Sequence, residues 1–438
     1  MAFSLSTRPR TSTWLILLLL VLFVGTGYRR YANDTGDDLA SSYIGCRLVA
    51  TDQGPHLYAF DPHDFAAVGP DDEWETAAND GNYNSWLHTY VQTPLWAWSL
   101  QPLCTRVNFS TFDHIFDALT LVSFAILVWL VARIWSPRLL HPGAIAVVLL
   151  ALWFTTPFKY AMTLMQTHIF FVLLTIGALM LASRRRPLLA GTLLALAAAV
   201  KLTPAIFLVY WLLTRRYRAA LTFIAVSVLL LVLARVTAGP ELFAQYLATL
   251  HRVSGTLLVS QNNQSLAAWW MGHHYPPLEV CFLNIHPLPR SVQLLSTTLI
   301  LLSSLFAGWL DRRHTARSLP PSTAEDTTSS FPLGALFLLI AATVFTPIAW
   351  THYFIVLLPA LMVLADLALA RRSLAIAIAI STMLALNLRP IASDVINIAV
   401  GRHAILRSQF FAGILCLVTL AAAALTSHRY NATRPTLT

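Results

Sequence analysis

Charged residues are scarce in this chain of 438 residues. They make up 11% of the sequence, whereas a soluble protein of this length carries about a quarter. Hydrophobic residues account for 57%. They form repeated runs of about 20 residues, which is the length that crosses a bilayer as a helix, and many runs are closed by arginines. This pattern excludes an ordinary soluble protein and predicts an all-α, polytopic membrane helical bundle.

Cysteine is also scarce, with four residues and no spacing typical of a metal site. Cys46, Cys104 and Cys281 fall in segments that we expect outside the membrane, where an oxidising compartment permits a disulfide between two of them. The sequence does not choose the pair. Cys416 falls in an apolar run and is expected to be an inert core residue. No metal site and no cofactor are predicted from these residues.

The net charge of +9 does not indicate nucleic-acid binding. The arginines cluster at the ends of apolar runs, where they set topology and meet anionic lipid headgroups. The expected partner of this positive charge is therefore membrane lipid, and nucleic acid is excluded.

The apolar runs predict one membrane domain over residues 1–438, with about ten full spans and one broken pair of half-spans. The broken pair covers residues 187–214, where arginines lie at both ends and 28 residues are too few for two crossings. Lys201-Leu202-Thr203-Pro204 interrupts its middle. The predicted full spans are residues 13–27, 114–134, 143–157, 161–182, 219–236, 291–310, 331–348, 353–369, 373–387 and 409–427.

The first run, residues 13–27, has two interpretations. It follows Arg8 and Arg10 and could be a secretory signal peptide. We prefer a retained first helix, because the rest of the chain is itself a membrane bundle. Basic residues before the run put the N-terminus inside, and the arginine clusters then predict that both termini are cytoplasmic, in the inner membrane of a bacterial cell.

Three polar segments interrupt the spans. Residues 28–112 are predicted to lie outside; they hold eleven of the 20 acidic residues and many aromatic rings. This mixture suits short amphipathic helices on the outer face or a carbohydrate-facing loop, and it is unlike a disordered linker. Residues 237–290 form a second outer segment of amphipathic character. Residues 312–330 are predicted to be a flexible cytoplasmic loop.

Lys201 is a lone charge inside an apolar stretch, and inserting such a charge costs about 3 kcal/mol. In one interpretation it snorkels to a headgroup or closes a helix. In the other it is the cation at the base of an anion-binding cavity, and Pro204 provides the break that lets it face a cleft.

Two further stretches carry polar and aromatic groups. Residues 261–265 are four amides and a serine, followed by Trp269 and Trp270; they predict either a sugar-binding surface or a loop with helix-capping amides. His273 and His274 point apart on a helix, so a metal site there is a weak prediction.

The turn at residues 346–353 carries Trp350, His352 and Tyr353. It is either part of the aromatic belt at the membrane interface or a site where His352 meets a phosphate or a hydroxyl. Asp38, just after the first helix, is either a solvated surface acid or a catalytic base. Together with Asp37 it could also bind a cation, which is the weaker interpretation.

Four stretches together resemble glycosyltransferase family 87, the polyprenyl-phosphate-sugar-dependent, alpha-1,2-mannosyltransferase-like enzymes with the GT-C membrane fold. An acid, an apolar residue and a tyrosine match at Asp38–Tyr43, and the family's Lys-x-x-Pro break matches at Lys201–Pro204. An Asn-Gln-Ser stretch matches at Asn263–Ser265, and a Pro-Ile-x-Trp-x-His turn at Pro347–His352. A Gly-Gln-x-Asn element is kept only in part, as Met165–His168, so no direct role is expected for His168.

The resemblance, which covers most of residues 30–360, implies an inverting transfer of a hexose, mannose foremost, from a polyprenyl-phosphate carrier to a lipid or glycan hydroxyl on the outer face. It implies Asp38 as general base, and it places Lys201 and His352 near the donor phosphate. The other residues expected to bind the donor are Tyr43, Gln166, Asn263, Gln264 and Trp350. A single carboxylate fits single-displacement transfer better than glycoside hydrolysis.

Two other classes of protein remain open from the sequence. A transporter or lipid flippase would need facing polar groups at mid-membrane, where Lys201 stands alone. A non-catalytic member of an envelope assembly would keep the fold and need no base.

Overall fold

The computed structural model describes residues 10–260, 262–272, 284–315, 333–388 and 407–431, and most of them are helical. Cys281, His273 and His274, and nearly all of the predicted cytoplasmic loop, lie outside the described residues. The described elements are α1 Arg10–Tyr31, α2 Asp37–Ala50, α3 Asp72–Asp80, α4 Pro94–Cys104, α5 Phe109–Ile134, α6 Pro142–Trp153, α7 Thr156–Thr163, α8 His168–Ser183, α9 Pro187–Val200, α10 Phe207–Leu213, α11 Tyr217–Ser254, β1 Thr256–Val259, α12 Leu266–Gly272, β2 Asn284–Pro287, α13 Arg290–Thr315, α14 Leu333–Val344, α15 Leu357–Arg371, α16 Leu374–Asn387 and α17 Ser408–Asn431.

Six of the described helices are long and apolar enough to cross a membrane, which confirms a helical membrane protein. These spans lie in α1, α5, α11, α13, the segment from Thr351 through α15, and α17. The predicted count of ten full spans is not confirmed. Five other apolar stretches form helices of 10–17 residues, which are short for a full crossing.

The chain breaks at the predicted place and at a second one. α9 ends before Lys201, whose backbone is extended, and a short 3₁₀ segment, Thr203–Ile206, leads into α10. The second break falls inside the single span predicted for residues 161–182. There α7 and α8 meet at an angle of 117°, and Met165 in the turn between them adopts a left-handed conformation with φ of 51°.

The second outer segment was predicted to begin at residue 237, but α11 continues to Ser254. The helix is kinked at Gly239, whose φ of 78° suits glycine, and Pro240 follows. After α11 the chain departs from the all-α prediction. β1 and β2 pair antiparallel, with Thr256 opposite Pro287 and Val259 opposite Asn284.

The segment between α1 and α5, which was predicted to lie outside, contains three short helices, as its acids and aromatic rings suggested. Asp71 caps α3 by accepting a hydrogen bond from the backbone N–H of Trp74. A disulfide joins Cys46 of α2 to Cys104 of α4, which settles the pair that the sequence left open. The free cysteine Cys416 is buried, as expected for a core residue.

α2 also packs on α5 through aromatic rings. The ring of Tyr43 lies 5.5 Å from that of Phe109 and 5.1 Å from that of Phe112, and its hydroxyl donates to the Val107 carbonyl at 2.9 Å. These contacts and the disulfide fix the direction of α2, and with it the position of the acid in its first turn.

Candidate active site

One cavity of about 1200 Å³ lies where four interruptions of the helices meet. They are the start of α2, the turn between α7 and α8, the break after α9, and the turn before α15. Titratable and hydrogen-bonding side chains on its wall include Asp38, His63, Asp64, His88, Gln92, Gln166, His168, Lys201, Trp350, His352 and Tyr353. Asp38 and Lys201 therefore share one cleft, although 163 residues of chain separate them.

Asp38 is held by the backbone at the start of α2. Its N–H donates to the Leu164 carbonyl at 3.2 Å, which ties α2 to the turn between α7 and α8. Gly36 allows this close approach, because a Cβ there would lie 2.5 Å from both Met165 Cβ and Asp113 Oδ1. The N–H of Gly36 also donates to the Asp113 carboxylate, at 3.4 Å.

The environment of Asp38 favours the protonated acid. The pKa of its carboxyl group is raised to about 6, mainly by burial. The positive charge of His88 opposes this shift, the neighbouring Asp37 adds to it, and Lys201 opposes it. Nε2 of His88 lies 3.7 Å from Oδ1 of Asp38. A carboxyl group with such a pKa is poised to accept a proton near neutral pH.

Lys201 lies among rings rather than acids. Its Nζ is 3.3 Å from Nδ1 of His168, 2.8 Å from the centre of the Tyr353 ring and 6.0 Å from that of Phe171. No described carboxylate forms an ion pair with it. When Lys201 carries its proton, this surrounding of rings leaves its charge available to an anion in the cavity.

His352 completes this group, which we call the cation pocket: His168, Lys201, His352 and Tyr353. The two imidazole centroids lie 5.9 Å apart, and the His168 ring stacks on Tyr353 at 4.3 Å. His352 is 3% exposed, and its buried Nε2 has no hydrogen-bond partner in the described part of the chain. A buried, unpartnered ring nitrogen on a cavity wall is free to bind a ligand.

The turn that carries His352 is fastened by the Asn-Gln-Ser stretch. Oδ1 of Asn263 accepts from the Ala349 N–H at 2.9 Å, and its Nδ2 donates to the Pro347 carbonyl at 3.3 Å. The Ser265 hydroxyl donates to the same carbonyl at 2.7 Å. Behind them, the buried guanidinium of Arg407 donates to the Asn263 carbonyl. Two motifs distant in sequence thus form one backbone clamp.

The structure brings five of the eight predicted site residues to the cavity wall: Asp38, Gln166, Lys201, Trp350 and His352. The other three lie behind the wall. Tyr43 is fully buried and Gln264 is 1% exposed. The side-chain amide of Asn263 forms hydrogen bonds to backbone groups, including those of the clamp. For these three the geometry favours a supporting role, and direct contact with a donor stays a prediction.

Sequence reasoning missed two residues of the wall. His168 was not expected to act, because its motif is incomplete, yet it accepts the Lys201 hydrogen bond. His88 carries no motif; the only signal was a histidine within the aromatic-rich outer segment. Trp269, expected on a sugar-binding surface, instead stacks on Phe410 at 5.6 Å between ring centroids.

Among the described residues, His56, Asp71 and Glu73 place potential metal-ligand atoms within 4.8 Å of one another. Asp71 already caps α3, and its hydrogen bond to His56, 3.0 Å long, raises the pKa of that imidazole. This half-exposed group is explained by capping and ion pairing. It lies apart from the cavity, and the interpretation of Asp37 as a cation ligand finds no third group within the described residues.

Comparisons with known proteins converge on one family. Residues 90–273 match the model of glycosyltransferase family 87. Two curated relatives, from Mycolicibacterium smegmatis and Mycobacterium tuberculosis, are each named polyprenol-phosphate-mannose-dependent alpha-(1-2)-phosphatidylinositol mannoside mannosyltransferase. The first is 29% identical over 204 residues and the second 30% identical over 206 residues.

These alignments cover 46% and 47% of this chain, and 42% and 43% of the relatives. The chain thus spans less than half the length of the curated relatives that it matches. The matched region includes the Lys201 break and Asn263, while Asp38 precedes it and the turn that carries His352 follows it. These matches support the resemblance carried by the motifs: residues 90–273 of this chain are similar to glycosyltransferase family 87.

Proposed function

We propose that this protein transfers mannose from a polyprenyl-phosphate carrier to a hydroxyl of a lipid or glycan acceptor. The observation that carries the proposal is the shared cavity, which holds a poised carboxyl group, Asp38, and a cation without an acidic partner in ion-pair contact within the described chain, Lys201. The relatives' names supply the sugar and suggest a phosphatidylinositol mannoside as the acceptor.

The reaction that suits this geometry is a single displacement. The acceptor oxygen attacks the anomeric carbon of the sugar, and the bond from that carbon to the phosphate oxygen breaks. The electron pair leaves with the carrier phosphate, and the acceptor proton passes to the Asp38 carboxylate. One displacement inverts the anomeric configuration, and no second carboxylate is required.

The cation pocket would receive the leaving phosphate. Lys201 supplies a full charge, and Nε2 of His352 can donate a hydrogen bond when it carries the proton. Positive groups fixed where negative charge develops stabilise the transition state more than the ground state. The hydroxyl-rich ring of the donor would then lie between this pocket and Asp38, near Gln166 and Trp350.

We further propose the arrangement inferred from the arginine clusters: a GT-C type bundle with both termini cytoplasmic and the active site facing outside. The acid-rich segment between α1 and α5, which contains Asp38, would then lie on the outer face. A lipid-linked donor would reach the cavity between α11 and α13, since both helices are of membrane length and contribute to its wall.

The test is transfer of radiolabelled mannose from polyprenyl-phosphate mannose to a phosphatidylinositol mannoside, with the protein purified into nanodiscs. Asp38→Asn should lower kcat by at least about a hundredfold, because a general base contributes on that scale. Asp72→Asn is the matched control, an exposed acid on α3 outside the cavity wall. Unchanged transfer by the Asp38 variant would remove the assignment of the base. Hexose uptake into sealed vesicles without transfer would favour a transporter.

A further inference from the structure

Trp86 is an aromatic side chain exposed on the outer-loop wall of the cavity. Its side chain is 54% exposed and lines the same space as Asp38. Trp270 has the same exposed fraction but does not line the cavity. An exposed indole on a soluble-side wall is costly to hydrate and is typical of positions that bind a ligand with an apolar face.

The backbone that carries Trp86 is fixed next to the proposed base. The Tyr83 hydroxyl lies 2.6 Å from the Trp86 carbonyl oxygen and 3.0 Å from Oδ1 of Asp37, so it can donate to either. Asp37 precedes Asp38 in the first turn of α2. The position of the indole is therefore coupled to that of the acid through a single tyrosine.

The residues after Trp86 are extended. Val68 N–H donates to the Leu87 carbonyl at 3.0 Å, Thr89 N–H donates to the Ala66 carbonyl at 3.1 Å, and His88 pairs with Ala67. In an extended segment, side chains two residues apart point to the same side. Trp86 and His88 thus both reach the cavity, and His88 lies 3.7 Å from Asp38.

We propose that Trp86 and His88 form the acceptor subsite, which takes the hexopyranose ring of a glycosylated acceptor. The apolar face of the ring would stack on the indole, and a ring hydroxyl would bind His88 and present its neighbour to Asp38. This inference rests on the proposed transfer reaction and names the recognised part of the acceptor. The cation pocket, which lines the same cavity, is left to the donor phosphate.

A role in the aromatic belt at the membrane interface would not explain why Trp86 lies beside His88 and Asp38. Such a tryptophan anchors a protein to headgroups and has no need of a neighbour directed at a carboxylate. Trp86 and His88 instead line one cavity, where they offer a stacking surface and a hydrogen-bonding group beside Asp38.

The kinetic test uses octyl α-D-mannopyranoside as acceptor and polyprenyl-phosphate mannose as donor. Trp86→Ala should raise the KM for the mannoside about tenfold, with the KM for the donor unchanged, because aromatic stacking is worth roughly that factor. Trp86→Phe keeps an aromatic face and should retain most of the affinity. Trp270→Ala, equally exposed, should match the wild type. Equal acceptor KM values for Trp86→Ala and Trp270→Ala would overturn the subsite.

A binding test separates this inference from the proposed reaction. Saturation-transfer NMR with methyl α-D-mannopyranoside should give a signal with the wild type and Trp270→Ala, and lose most of it with Trp86→Ala. That result supports the sugar subsite even if no transfer is detected, in which case the reaction alone fails. A signal that survives in Trp86→Ala contradicts the subsite whether or not the protein transfers mannose.

Discussion

Nζ of Lys201 lies 3.3 Å from Nδ1 of His168, which joins the break after α9 to the first residue of α8. The contact makes Nδ1 the acceptor, so the imidazole proton resides on Nε2. The lysine stays charged only if the cavity stabilises it, and within the described residues that stabilisation comes from Tyr353 and from the more distant charge of Asp38.

Removing the Lys201 charge should weaken use of the donor and leave the fold intact. Lys201→Ala is expected to lower kcat/KM for polyprenyl-phosphate mannose by about ten- to a hundredfold, since a charged hydrogen bond is worth about 1.5–3 kcal/mol. Lys159→Ala is the control, because Lys159 is exposed on α7. Size-exclusion and thermal-shift measurements report folding. A Lys201 variant that fails to insert would favour a structural role for the charge.

Transfer should depend on the ionisation of Asp38. The carboxylate accepts the proton, so kcat/KM should rise with pH and level off above about pH 6, where burial places its pKa. Asp37→Asn should move this limb to lower pH, because the neighbouring negative charge raises the pKa. His88→Asn should move it to higher pH, because the positive imidazole lowers the pKa. A pH profile that neither variant shifts would contradict Asp38 as the titrating group.

The raised pKa of Asp38 also determines whether its ionisation stabilises or destabilises the folded protein. Its folded pKa lies above the ordinary value of 3.8, so the folded state binds the proton more tightly than the unfolded state. Ionisation therefore costs stability as the pH rises through this window. Asp38→Asn should lose transfer while its Tm at pH above 7 equals or exceeds that of the wild type, which a structural role for the acid would not produce.

Asn263 is expected to act through the turn that it fastens. Asn263→Ala leaves the buried Ala349 N–H without its acceptor, and each such group costs about 1–3 kcal/mol. Both Tm and kcat should fall, because His352 depends on this turn for its position. Asn387→Ala is the matched control: Asn387 is 3% exposed and donates within its own helix, to the Met383 carbonyl. A variant with wild-type Tm and a raised donor KM would instead indicate direct contact with the donor.

The pattern of apolar runs was enough to predict a helical membrane protein, because burial in lipid demands long apolar helices. It was not enough to predict their lengths. At the bend, Met165 adopts a left-handed backbone conformation that its residue type does not predict. The bend also packs against Gly36, which is distant in sequence. β1 and β2 escaped notice for the same reason, since 24 residues separate the two strands.

The residues of the candidate site were likewise predictable only in part. Asp38, Lys201 and His352 were found from motifs, because lone charged or titratable groups beside apolar runs are conspicuous. Asn263 was assigned to sugar binding, although its amide is needed by the backbone of a distant turn. His88 could not be ranked above other outer-segment histidines until the structure placed it 3.7 Å from an acid.

Because of the disulfide between Cys46 and Cys104, the covalent fixing of α2, the helix that carries Asp38, depends on oxidation. It can close only after both thiols reach an oxidising compartment, whereas the membrane helices need no redox chemistry to pack. If the segment between α1 and α5 lies outside, as proposed, maturation would have two stages: insertion, and then covalent fastening of that segment. A cell that inserts the protein into the membrane but fails to oxidise these thiols would accumulate a helical bundle in which packing alone holds α2 and Asp38 in place.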